Sequence, residues 1–238
     1  MEICKSCNES FQGNFCSNCG YSVYIKRIDH TYIRNEILSI FNFDKGIFLT
    51  IKELFIRPGE SIKEFLTTDR NRLVKPVLFI LITSIIYSLI NNYFKIEIQY
   101  GNHQEMNNPM VLIFGWIQNN YGYANILMAV FISFILRLFF RKSGYNIYEI
   151  LILLCFVMGM GMLIFSFFAI LEGLTQSSLM NFASIVGAIY TTWAIGHFFG
   201  KKKFINYIKA LTSYILGMIL FSFSAIFLAI LISLITKQ

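Results

Sequence analysis

The sequence predicts an all-α membrane protein: about five transmembrane helices, preceded by amphipathic juxtamembrane helices and a small cysteine-built N-terminal module. Three observations carry this. The residues are 56% hydrophobic and only 14% charged, with a mean hydropathy of +0.60, whereas a soluble domain carries about 25% charged residues. Apolar runs recur from residue 77 to the C-terminal end, each near the ~20 residues that cross about 30 Å of hydrocarbon. Four of the five cysteines fall between positions 4 and 19.

Three regions follow: residues 1–25, 26–76 and 77–238. In the first, Cys4-Lys-Ser-Cys7 and Cys16-Ser-Asn-Cys19 form two CxxC pairs. Four thiolates suit one tetrahedral Zn²⁺, and the doubling of the motif argues against a redox pair. The expectation is a zinc ribbon ligated by Cys4, Cys7, Cys16 and Cys19. Gly20 follows the second pair and Asn8 the first, both residues that permit the tight turn of a knuckle. A segment this short buries no core, so the metal supplies its folding energy, with Phe11, Phe15 and Tyr21 around it. Four thiolates close the coordination sphere and make the zinc structural. The module has no basic, aromatic-rich face, so nucleic acid is not the expected partner. Thiolates persist in a reducing compartment, which places this end in the cytoplasm.

Residues 26–76 read as basic amphipathic helices. Asp29 caps a predicted helix to about Phe41, and Asp44 a second to about Ile56. Ile47, Phe48, Ile51, Leu54 and Phe55 share one face of the second. Pro58-Gly59 reads as a break, and Ser61 to Leu66 as a short third helix. Such helices beside a span usually lie in the headgroup region. Arg70, Arg72 and Lys75 are the candidate site for an anionic lipid or another phosphate-bearing ligand.

The spans are expected at about 77–93, 121–140, 148–171, 179–199 and 210–235. The cysteine cluster precedes them in place of a basic and apolar leader, so the first span is expected to act as an uncleaved signal. Lys and Arg alternate with the crossings. They are dense from Lys26 to Lys75, reduced to Lys95 in the next loop, present as Arg141 and Lys142, and absent around Glu172. They return at Lys201, Lys202, Lys203 and Lys209, and end with Lys237. The positive-inside rule then puts the N-terminus in the cytoplasm and the C-terminus outside.

No Asp, Glu or Lys lies near a predicted midplane, which disfavours ion-coupled transport. Arg137 is placed to snorkel. His197 is expected as a satisfied interfacial side chain, Asn125 and Asn181 near the outer interface, and Cys155 as an inert hydrophobe. Ser213, Gly217, Ala225, Ala229 and Ser233 form a small-residue stripe on the fifth span; Ala183 with Gly187 and Gly196 with Gly200 make pairs on the fourth. These serve either packing inside the bundle or a homo-oligomer seam. Met158-Gly-Met-Gly-Met162 is packing or a hinge.

The ribbon, Phe43-Asp44-Lys45-Gly46, Thr50 with Leu54, Arg57-Pro58-Gly59, Ile62 with Phe65, and Arg70-Asn-Arg72 through Lys75-Pro76 together resemble a family of bacterial multi-pass membrane proteins. Members carry an N-terminal zinc ribbon, a juxtamembrane segment and a multi-span half, and are known as a domain of unknown function. The resemblance covers about residues 1–95. Asp69 and Leu73 stand where that family often has Gly and Tyr. It implies the architecture and a bacterial inner-membrane setting, and no activity.

The expected function is a non-enzymatic membrane scaffold or sensor. Its cytoplasmic ribbon and basic helices engage a protein partner or anionic membrane lipid. The alternatives are an oligomeric pore or membrane-perturbing effector, such as a bacterial defence accessory, and a transporter or lipid-handling protein. There is no Ser/His/Asp set, carboxylate pair or phosphate loop to support an enzyme.

Overall fold

The computed structural model describes residues 2–4, 7, 10–11, 16–19, 46–94, 96 and 109–236. The chain divides into two compact units, Met1–Phe41 and Asn42–Gln238. In the first, strand β1 (Glu2–Ile3) pairs antiparallel with β2 (Ser10–Phe11), Glu2 opposite Phe11 and Ile3 opposite Ser10. The expected helix over 29–41, the Asp44 cap, Lys95 and the packing residues Phe15 and Tyr21 lie outside the described residues.

The second unit is all-α. Helices α1 (Ile47–Ile56) and α2 (Pro58–Thr67) precede α3 (Pro76–Phe94). Then come α4 (Pro109–Asn119), α5 (Tyr121–Phe139), a 3₁₀ turn (Arg141–Ser143), α6 (Ile147–Thr175), α7 (Met180–Gly200) and α8 (Phe204–Thr236). Five of these, α3, α5, α6, α7 and α8, are long and apolar enough to cross a membrane. They fall on the five expected spans. The larger departures are α6, which continues to Thr175, and α8, which already begins at Phe204.

Two elements differ from expectation. Helix α2 starts at Pro58, not beyond it. Proline at the first helical position needs no N–H partner and brings a helical φ, so it initiates here where it would break a helix interior. The loop before α5 contains the 11-residue helix α4, about 16 Å long and too short to cross. It packs on α5 and α8.

Helix α6 is the centre of the bundle, touching α1, α2, α3, α5 and α7; α8 lies against α4, α5 and α7. Phe156 of α6 packs edge-on against Phe65 of α2, ring centroids 5.2 Å apart, and lies 5.9 Å from Phe79 of α3. Leu54 and Ile62 are completely buried. Ile47 and Leu54 of α1 and Ile62 and Phe65 of α2 are thus part of the bundle core, while Phe48 and Phe55, expected on the same face of α1, are exposed. Outward faces keep large apolar side chains such as Ile85, Leu89, Phe134 and Phe223 exposed, as helices facing lipid require.

Four members of the small-residue stripe, Ser213, Gly217, Ala225 and Ala229, are buried within the chain. A Cβ on Gly217 would stand 2.6 Å from Cα of Ile132, so α8 crosses α5 at backbone contact. Ala183 is buried, and Gly196 leaves room for the Tyr207 ring. In the Met-Gly run, Met158 and Met160 are buried, and Gly159 accommodates the Phe79 ring. Asn125, near the start of α5, is buried within the bundle and donates to Ser84 Oγ at 3.3 Å.

Candidate functional site

Two clusters of chemistry-bearing side chains stand out. In the N-terminal unit the ligand atoms of Cys4, Cys7, Cys16 and Cys19 all lie within 4.8 Å of one another. Cys4 Sγ is 3.5 Å from Cys19 Sγ and Cys7 Sγ 3.6 Å from Cys16 Sγ. None of the four is in a disulfide. A tetrahedral ion with metal–sulfur bonds of about 2.3 Å separates its sulfurs by about 3.8 Å, so the four could hold one metal ion. Cys4 and Cys16 are buried and Cys19 is exposed. The β1–β2 pairing brings the residues around the first CxxC together, and Asn18 Nδ2 approaches Cys7 Sγ at 3.9 Å.

In the second unit a four-charge network joins α1, α2 and the segment before α3. Glu53 Oε2 accepts from Arg57 Nε at 2.7 Å and from Ser61 Oγ at 2.8 Å. Glu53 Oε1 accepts from Arg72 Nη2 at 2.9 Å. Glu64 accepts from Arg57 Nη1 at 3.2 Å and from Arg72 Nη1. Each guanidinium thus bridges the same two carboxylates. Burial pushes the Glu53 carboxyl up. Hydrogen bonds from Arg57 and Ser61, with the charges of Arg57 and Arg72, outweigh it and hold the group below its ordinary range. The bond to Glu53 in turn raises Arg57.

The neighbouring polar contacts also join elements. Thr50, fully buried, donates to Gly46 O at 3.1 Å and accepts from the Val74 N–H at 3.0 Å. Tyr190 donates to Leu54 O at 3.0 Å. A Cβ on Gly59 would meet the backbone of His197 and Phe198 at 2.5 Å.

The anion-site candidates therefore separate. Arg72 is occupied by Glu53 and Glu64, while Arg70 and Lys75 are exposed on either side of it. Arg137 donates to Tyr145 O at 2.6 Å and closes the α5–α6 turn. His197 is not satisfied among the described residues: Nδ1 is buried with no partner, and Nε2 lies 3.8 Å from Glu60 Oε1. The acids at span ends are helix caps. Glu149 and Asn146 form a reciprocal capping box on α6, and Glu172 accepts from the Leu179 and Met180 N–H groups at the start of α7 at 2.6 and 2.9 Å. Asn146-x-x-Glu149 was readable in sequence as such a box. Glu53 and Glu64 were missed, since nothing local marks the partners that lie 19 and 8 residues away at Arg72.

Residues 44–88 match the model of a family described as a protein of unknown function (DUF3667). The match spans α1, α2 and most of α3, the part of the chain that holds the whole ion-pair network. No curated protein and no solved structure matches the chain.

Proposed function

We propose that the chain is a non-enzymatic scaffold or sensor of a bacterial inner membrane. A zinc ribbon at its N-terminus lies in the cytoplasm, receives a protein partner there, and the five-span bundle anchors it, with the C-terminus outside. One observation carries this reading: the cysteine cluster and the Glu53–Arg57–Glu64–Arg72 network are each closed on themselves. Four thiols converge on one ion-sized point, and Glu53, Arg57, Glu64 and Arg72 pair within their own set. Neither leaves an open coordination position or an unpaired acid and base for turnover. When bound, zinc supplies folding energy and no chemistry.

The alternating Lys/Arg pattern supports the orientation. Arg70 and Lys75, exposed at the foot of α3, are available to anionic headgroups. The pore alternative draws on the small-residue stripe of α8, and the burial of Gly217, Ala225 and Ala229 within one chain favours the scaffold.

The test is a pull-down of the full chain from native membranes, wild type against Cys4→Ser/Cys16→Ser. The reading expects a stoichiometric protein partner that the variant loses. The same proteins recovered from both would remove its main support.

A further inference from the structure

The structure carries a second basic feature, separate from Arg70, Arg72 and Lys75. A cleft of about 1000 Å³ opens where α2, the 3₁₀ turn and the α7–α8 turn meet. Lys63, Arg141, Lys142, Lys202, Lys203 and Lys209 line it. The single carboxylate among the described lining residues, Glu60, is taken by Lys201, whose Nζ lies 2.6 Å from Oε1. No described carboxylate pairs with the six other cations. Like charges gathered in a concavity raise the local potential, and an anion is the natural counter-charge.

Two of the cations lie over aromatic rings, and the turns that bear the others are anchored. Lys63 Nζ sits 5.7 Å above the Phe198 ring and Lys209 Nζ 5.8 Å above the Phe140 ring. The α7–α8 turn is fixed by Asn206, which donates to Gly200 O at 3.1 Å. Gly200 has φ +144°, a conformation other residues rarely adopt, and a Cβ there would meet Asn206 Nδ2 at 2.9 Å. Arg137, bonded to Tyr145 O, fixes the turn that bears Arg141 and Lys142. The lysines of three separate segments thus face one volume from anchored backbones. That volume is at the large end for a ligand pocket, room for an anion with more than one phosphate.

We propose that this cleft is a binding site for a phosphate-bearing anion, through the ammonium groups of Lys202, Lys203 and Lys209 with Lys63, Arg141 and Lys142 opposite. Lysine serves as a point-charge phosphate binder, and no single segment has enough charge alone. The phosphate can belong to a lipid headgroup or to a soluble molecule.

The test titrates the full chain in neutral detergent at fixed ionic strength with two probes: inorganic pyrophosphate and phosphatidylglycerol. Fluorescence of Trp193, whose indole stacks 5.9 Å from His197 at the cleft, reports binding in a Trp116→Phe background that removes the other tryptophan. At least one probe saturates. Lys203→Gln/Lys209→Gln weakens binding about fivefold for each lysine removed, and Lys52→Gln, at an exposed position of α1, changes it less than about twofold. Glu60→Gln tightens it, an effect that misfolding does not mimic. Saturation by phosphatidylglycerol alone assigns a lipid, by pyrophosphate alone a soluble anion, and by both the phosphate group itself. Saturation by neither probe, or equal weakening by Lys52→Gln and by the double variant, overturns the site.

Discussion

The Tyr190 hydroxyl donates to the Leu54 carbonyl at 3.0 Å, filling the position that Pro58 leaves vacant. In a continuing helix Leu54 O would accept from the N–H four residues on; residue 58 is proline and has none. A transmembrane tyrosine thus caps a helix of the family-matched segment. Tyr190→Phe removes the donor and leaves the buried carbonyl short of a partner, a loss of about 1–3 kcal/mol. Thermal unfolding in detergent checks it, with the wild-type midpoint as the contrary result.

The four-charge network predicts unequal roles for adjacent arginines. Arg72→Met strips Glu53 and Glu64 of one shared partner and should destabilise by about 2 kcal/mol. Arg70→Met, at an exposed position, should stay within about 0.5 kcal/mol. Parallel melting curves of the two variants decide this, and equal curves count against the network.

The same network gives a pH dependence with a definite sign. Glu53 is held below its ordinary value of 4.5. Its contribution is complete above that ordinary value and falls away as the pH drops through the lower folded one. Wild type should therefore lose stability on acidification below about pH 4.5 more steeply than Glu53→Gln, which lacks the titrating group. Stability measured from pH 6 to 3 in both proteins tests it; parallel profiles contradict it.

Glycine contacts separate tight from open helix interiors. Gly59→Ala drives a Cβ to 2.5 Å from α7 backbone, which cannot move aside as a side chain can. It should cost about 3 kcal/mol, at the upper end for overpacking. Gly161→Ala meets no atom within 4 Å and should stabilise by about 0.5–1 kcal/mol, the helix preference for Ala. A melting shift of the same sign for both refutes the packing.

If the α8 stripe packs inside one chain, Gly217→Val should unfold the bundle at lower temperature without changing its mass in solution, because the side chain meets Ile132 Cα. Light scattering combined with melting separates the cases. Dissociation of a larger species to single folded chains would make the stripe an oligomer seam.

The spans were legible because their signal is local: apolar runs of the right length, bounded by Lys and Arg at alternate ends. Helix α4 was not, since its 11 residues fall below any spanning length and its partners α5 and α8 lie later in the chain. The helical start at Pro58 was misread because proline both breaks and begins helices, and position alone decides. The four cysteines were legible from their spacing. The basic cleft was not, because Glu60 and Lys201 lie 141 residues apart and only folding brings Lys63, Arg141 and Lys203 to one volume.

The partner reading rests on Cys4, Cys7, Cys16 and Cys19 closing on a zinc ion as a structural centre. Metal analysis of the full chain purified from membranes, beside Cys4→Ser/Cys16→Ser, tests this most directly. The account predicts one zinc ion per wild-type chain and none in the variant. Metal-free wild type, or equal zinc in both proteins, would contradict it.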